Sequence, residues 1–109
     1  MAMLEKTIYD RDFSNVLSLI EDGILNGSVS ATLEARSDFR APNARCNVRV
    51  FERYSYMGGN RLSLNVTLFQ ADGQPIKLSA ITSGGSQALF FKMNTFGEEA
   101  FLDKLREIL

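Results

Sequence analysis

Three arginines at a four-residue interval, Arg45, Arg49 and Arg53, stand where the chain otherwise alternates in the manner of a strand. At about 3.3 Å per residue they would sit roughly 13 Å apart on one face of that strand. Each guanidinium presents a rigid fork of donors that suits carboxylates and phosphates. On the same parity lies Phe51, and the neighbouring segments add Phe69 and Phe90, with Ile81, Asn47, Asn65 and Thr67 beside them. Aromatic rings among arginines suit two tasks, packing against another protein or stacking bases while the arginines hold phosphates. The candidate binding residues are therefore Arg45, Arg49, Phe51, Arg53, Phe69 and Phe90.

Other chemistry finds little support. The 109 residues contain no histidine and a single cysteine, which removes histidine-based acid–base catalysis and histidine-containing metal sites. No catalytic residue, metal or cofactor is expected. Cys46 falls on the apolar parity of its strand, so a buried, inert thiol is expected rather than a nucleophile. Glu52 shares the parity of Val50 and Tyr54. A β-bulge near Phe51 would turn Phe51 inward and Glu52 out; without one, Glu52 beside Tyr54 and Tyr56 would mark the polar end of a small pocket. Thr82–Gln87 resembles an anion-binding nest only superficially, because a strand rather than a helix N-terminus is expected to follow it.

Positioning these residues requires a sheet. Apolar residues recur at every second place from Val29 to about Met93, between two segments with helical spacing. The first helix, Asp12 to Asn26, carries the stripe Phe13, Val16, Leu17, Ile20 and Ile24, with Gly23 weakening its interior. The last carries Phe101, Leu102, Leu105, Ile108 and Leu109 behind a capping box at Thr95–Glu98. Between them the spacing predicts strands at 28–36, 45–56, 62–69, 76–80 and 89–93, with a loop at Ser37–Asn43 and a short optional strand at Leu4–Tyr9. Short links favour an antiparallel meander, and two amphipathic helices need the same apolar face. The expected fold is a two-layer α+β sandwich, a single domain over residues 1–109 in the order (β)-α-β(4-5)-α.

Register follows from parity. The apolar sets around Met57-Gly58-Gly59-Asn60 are both even-numbered, so a three-residue turn, Gly58 to Asn60, is expected, pairing Tyr54 with Leu64. Even residues between Cys46 and Ala80 then face the helices, and the arginines face away.

Charge and composition narrow the setting. The net charge is −1, yet residues 36–92 carry a surplus of five positive charges while both ends are acidic. No apolar run approaches a membrane span, no signal-peptide core is present, and one cysteine suits a reducing compartment. A cytoplasmic protein is expected, with no membrane partner.

The segments Glu52–Thr67 and Ser79–Ala88, each centred on a Gly-Gly pair, resemble a family of small bacterial proteins known as a domain of unknown function. The resemblance runs from about Phe13 to the C-terminus. It implies a bacterial cytoplasmic protein and brings no activity, ligand or catalytic residue.

The expected function is that of a non-catalytic, self-associating interaction or binding module, a homodimer joined through the basic-aromatic sheet face. Cross-strand pairing of exposed aromatics without further function ranks second. Binding of single-stranded nucleic acid ranks third, because the chain is not basic overall. A small-ligand pocket between helices and sheet, lined by Glu52, Tyr54 and Tyr56, is the alternative from a different class.

Overall fold

A computed structural model describes residues 1–55, 59–84 and 91–109, and the side chains of 1–54, 59–84 and 98–109. The elements run β1 (Ala2–Ile8), α1 (Phe13–Gly27), β2 (Thr32–Ala41), β3 (Ala44–Ser55), β4 (Asn60–Ala71), β5 (Ile76–Gly84) and α2 (Phe91–Ile108). The strands form one antiparallel sheet in the order β1-β5-β4-β3-β2. Strands β2 to β5 are thus the expected meander, and the optional first strand is real, pairing with β5 at the far edge. Because β1 and β2 lie on opposite edges, α1 must cross the sheet. Its 15 residues reach about 22 Å, matching the roughly 19 Å that separates the outer strands of five.

Alternation puts Leu62, Leu64, Val66 and Leu68 of β4 and Ile76, Leu78 and Ala80 of β5 on one buried face. Phe13, Val16, Ile20 and Ile24 of α1 and Phe101, Leu102 and Leu105 of α2 close over that face to make the core. Asp12 caps α1 by accepting a hydrogen bond from the amide of Asn15 at 3.0 Å. Gly23 has a packing reason: a Cβ there would lie 2.5 Å from the Ile108 side chain of α2. Both helices lie on one side, and the fold is the two-layer α+β sandwich read from the sequence.

Three local expectations are corrected. The segment 37–41, read as part of a loop, continues β2, and only Pro42 and Asn43 turn the chain. Its polar residues misled because β2 is an edge strand exposed along almost its whole length. The strand expected at 89–93 is absent as such, since Phe91 and Met93 belong to α2; residues 85–90 lie outside the described residues. The capping box does not start a helix, because Thr95 and Glu98 lie inside α2. Glu98 is instead buried, 2.7 Å from the α-amino group of Met1.

The fourth correction moves the site. β3 pairs with β4 so that Ser55 faces Asn60 and Tyr54 faces Arg61. The three-residue turn from Gly58 to Asn60 is therefore overturned, since Asn60 already belongs to β4; Gly59 does take the left-handed conformation, at φ +66°. The even residues of β4 face the helices, so their partners Asn47, Arg49, Phe51 and Arg53 do too. Parity holds for β4 and β5 and is reversed throughout β3. A bulge between Leu33 and Ala35 carries the reversal into β2, placing Arg36, Asp38 and Arg40 on the helix side.

Candidate functional site

The six candidate residues do not share a face. Arg45, Arg49, Phe51 and Arg53 are on the helix side, Phe69 is on the open side, and Phe90 lies outside the described residues. The basic-aromatic sheet face expected from the sequence therefore does not exist, and its parts do two different jobs.

The arginines tie the helices down. Arg45 stacks over the Phe13 ring at 4.1 Å and donates to the Ser14 hydroxyl at 3.3 Å, holding the start of α1. Arg49 is only 2% exposed. Its Nε meets Glu21 of α1 at 2.7 Å, and its Nη1 meets Asp38 of β2 at 2.7 Å and the Val48 carbonyl at 2.9 Å. Asn47 donates to the same Asp38 oxygen. Arg53 lies over the Phe101 ring of α2 at 4.5 Å. A four-residue interval thus reaches the beginning of α1, its middle, and α2 in turn. A cation under a helical layer is tolerable because each is paired with carboxylates or stacked on a ring.

Electrostatics agree with the geometry. Burial alone would lower the Arg49 pKa, but its bonds to Glu21 and Asp38 outweigh that and hold it above the ordinary arginine value. The bond from Arg49, then that from Asn47, keeps the Asp38 carboxyl below its usual range. Arg53, desolvated beside Phe101, has its pKa lowered by burial.

With β3 reversed, its aliphatic residues go to the open side. Five strands there present a row of Thr7, Lys77, Phe69, Cys46 and Phe39, the next of Glu5, Ser79, Thr67, Val48 and Ser37, and a third of Met3, Ile81, Asn65, Val50 and Ala35. Phe39 is 67% exposed, Phe69 43% and Met3 59%. Cys46, Val48 and Val50 are half-buried, and among the described residues nothing lies above them. Phe39, Ala41, Ala44, Cys46 and Phe69 line a shallow apolar hollow at one end. Cys46 is free, and it is on this open face rather than in the core as its parity had suggested.

Glu52 also faces out, pairing with Arg61 at 3.1 Å. The outward orientation is the one a bulge would have produced, but it comes from the register of the whole strand. A ligand pocket under the helices lined by Glu52 and Tyr54 is thereby excluded, since both lie on the open side; Tyr56 lies outside the described residues. The base-stacking surface loses its phosphate-binding arginines in the same way. Sequence reasoning missed Glu21 and Asp38 as partners of the arginines. Glu21 flanks the α1 stripe between Leu17 and Ile24, where its carboxylate reaches Arg49 of β3.

Fold and site together define a two-layer α+β module with an arginine-anchored helical layer and a sheet face, open among the described residues, that mixes apolar and polar side chains. The chain belongs to a family of unknown function, DUF6054, whose family model matches residues 1–109. No curated protein matches the chain, and no solved structure does. Among the described residues no helix is long and apolar enough to cross a membrane.

Proposed function

We propose that the protein is a non-catalytic interaction module that self-associates, the open sheet face of one copy packing on the same face of another. The carrying observation is the run of Val50, Val48, Cys46, Phe69 and Phe39, with Met3 and Ile81 a second apolar pair beyond Asn65, on a face that nothing among the described residues covers. Apolar clusters of this kind in a polar surround mark interaction surfaces. Strand spacing and length give the face about 700 Å². Two such faces bury roughly 1,400 Å², within the range of stable interfaces. Aligned sheet-on-sheet packing about 10 Å apart would accommodate the side chains.

A binding role is favoured over catalysis because the carboxylates nearest the arginines, Glu21 and Asp38, are consumed in ion pairs. The bacterial cytoplasm suits a thiol placed at this interface, since an oxidising compartment would cross-link or oxidise it. Light scattering of the parent beside Val48→Asp/Phe69→Asp tests the reading. The parent should have a mass at least twice the 12.2 kDa of one chain, and the variant half the parent's mass with unchanged circular dichroism. A variant that keeps the parent's mass would remove this face as the interface.

A further inference from the structure

Arg49 has two carboxylates for its N–H groups; Arg45, one step nearer the β2–β3 turn, has none. Its Nη1 donates to Ser14, and its Nε is buried without an acceptor. Across the ladder its Cα partner is Arg40, a second cation, and among the described residues neither arginine has an ion pair within the chain. Only Pro42 and Asn43 separate Ala41 from Ala44, so those alanines close the hairpin as a hydrogen-bonded pair. Arg40 and Arg45 are then the next, non-hydrogen-bonded pair, the kind in which Cα atoms stand about 4.5 Å apart and side chains lie closest. Like charges directly opposite on a ladder are destabilising. Half-burial of Arg45 removes part of the water that would screen them.

Both arginines line a hollow of about 220 Å³ at the end of the sheet, together with residues of the β2–β3 and β4–β5 turns. Its surroundings are held in place. The Asp72 amide donates to the Asn43 carbonyl at 2.9 Å and ties one turn to the other. Gln70, the partner of Arg45 on β4, donates to the Gln74 carbonyl at 2.9 Å. The Phe13 ring fixes the Arg45 guanidinium from the α1 side at 4.1 Å. A site whose walls are ordered in advance loses little entropy on binding. Asp72 is the one carboxylate on the wall among the described residues. It is exposed and forms no ion pair with either arginine, so it reduces the positive field without cancelling it.

We infer that this hollow binds a phosphate group, inorganic or carried by a small phosphomonoester, between Arg40 and Arg45. Guanidinium forks match phosphate oxygens in geometry and charge. A carboxylate has two oxygens, which one fork satisfies; two forks on neighbouring strands suit an anion with three or more. A phosphomonoester carries a charge of about −1.5 to −2 at pH 7, enough to offset both cations. The hollow is smaller than the roughly 300 Å³ at which sites for drug-sized ligands begin, so it takes the phosphate and leaves any attached group in solvent. The site does not rest on self-association through the open face.

Calorimetric titration of the full chain at low ionic strength tests the site with three probes: inorganic phosphate, glycerol phosphate and acetate. Phosphate should bind saturably, with acetate at least tenfold weaker, and should shift the Arg45 Nε–Hε resonance in nitrogen-15 spectra. Equal affinity for the two phosphates identifies the inorganic ion as the ligand; tighter binding of glycerol phosphate identifies a phosphorylated metabolite. Arg40→Gln changes an exposed side chain, so circular dichroism should stay that of the parent while phosphate binding weakens about tenfold. Asp72→Asn removes the opposing charge and should tighten binding roughly threefold. No saturable binding by about 10 mM phosphate would overturn the site. So would acetate binding as well as phosphate, an affinity unchanged in Arg40→Gln, or a weaker one in Asp72→Asn.

Discussion

Replacing Glu21 by glutamine should expose how the arginine ladder holds α1. Glu21→Gln keeps the shape and removes the charge that faces Arg49 across 2.7 Å. Breaking a fully buried ion pair costs about 3–5 kcal/mol, and an exposed pair is worth about 0–1 kcal/mol. Here the guanidinium is 2% exposed and the Glu21 side chain 25%, and Asp38 still partners the cation. A loss of about 2 kcal/mol lies between those limits, or roughly 10 °C in Tm for a domain near 100 residues. In an Arg49→Met background, Glu21→Gln should cost under about 0.5 kcal/mol, because no buried cation remains to be stranded. Urea unfolding of the four proteins at pH 7 closes the cycle. Equal costs of Glu21→Gln in both backgrounds would refute the pairing, and with it the helix-side placement of Arg49. The pH dependence has a defined sign. The Asp38 carboxyl is held below its ordinary value by Arg49. Its contribution is therefore complete above the unfolded pKa near 3.8 and is lost as pH falls through the lower folded value. Arg49→Met should flatten that acid limb of the stability curve.

The remaining predictions concern packing. Phe51→Ala, removing a fully buried ring, should cost about 3–5 kcal/mol, whereas its neighbour Val50→Thr, on the open face, should cost under about 1 kcal/mol; denaturant midpoints in the opposite order would restore the other parity. Gly23→Ala gains about 1 kcal/mol of helix propensity but drives a methyl into Ile108. Thermal melts should show a net loss, relieved when Ile108→Ala is added, and a stabilised single variant would contradict the close approach of α1 and α2.

The amino-acid pattern determines the elements because hydrophobic periodicity is a local property. Phe13, Val16, Ile20 and Ile24 recur as only a helix buries them. Leu62, Leu64, Val66 and Leu68 recur as only a half-buried strand does. Two helical stripes and one apolar sheet face then leave the two-layer sandwich as the arrangement that covers them all. Acidic residues in a helical segment and arginines in a strand were likewise visible, without any indication that they meet.

Which face of β3 is buried was decided only by the assembled sheet. Its two parities are chemically close: one holds Cys46, Val48, Val50 and Tyr54 with Glu52, the other Phe51 with three arginines. Local hydrophobicity favours the first. The register that pairs Ser55 with Asn60 imposes the second, since a shift of one residue turns every side chain of the strand over. Burying the arginines is then made tolerable by partners far away in sequence, Phe13, Glu21, Asp38 and Phe101. No window along the chain contains those distances. The same turn of the strand sends Cys46, Val48 and Val50 to the open face and the arginines of β3 to the helix side.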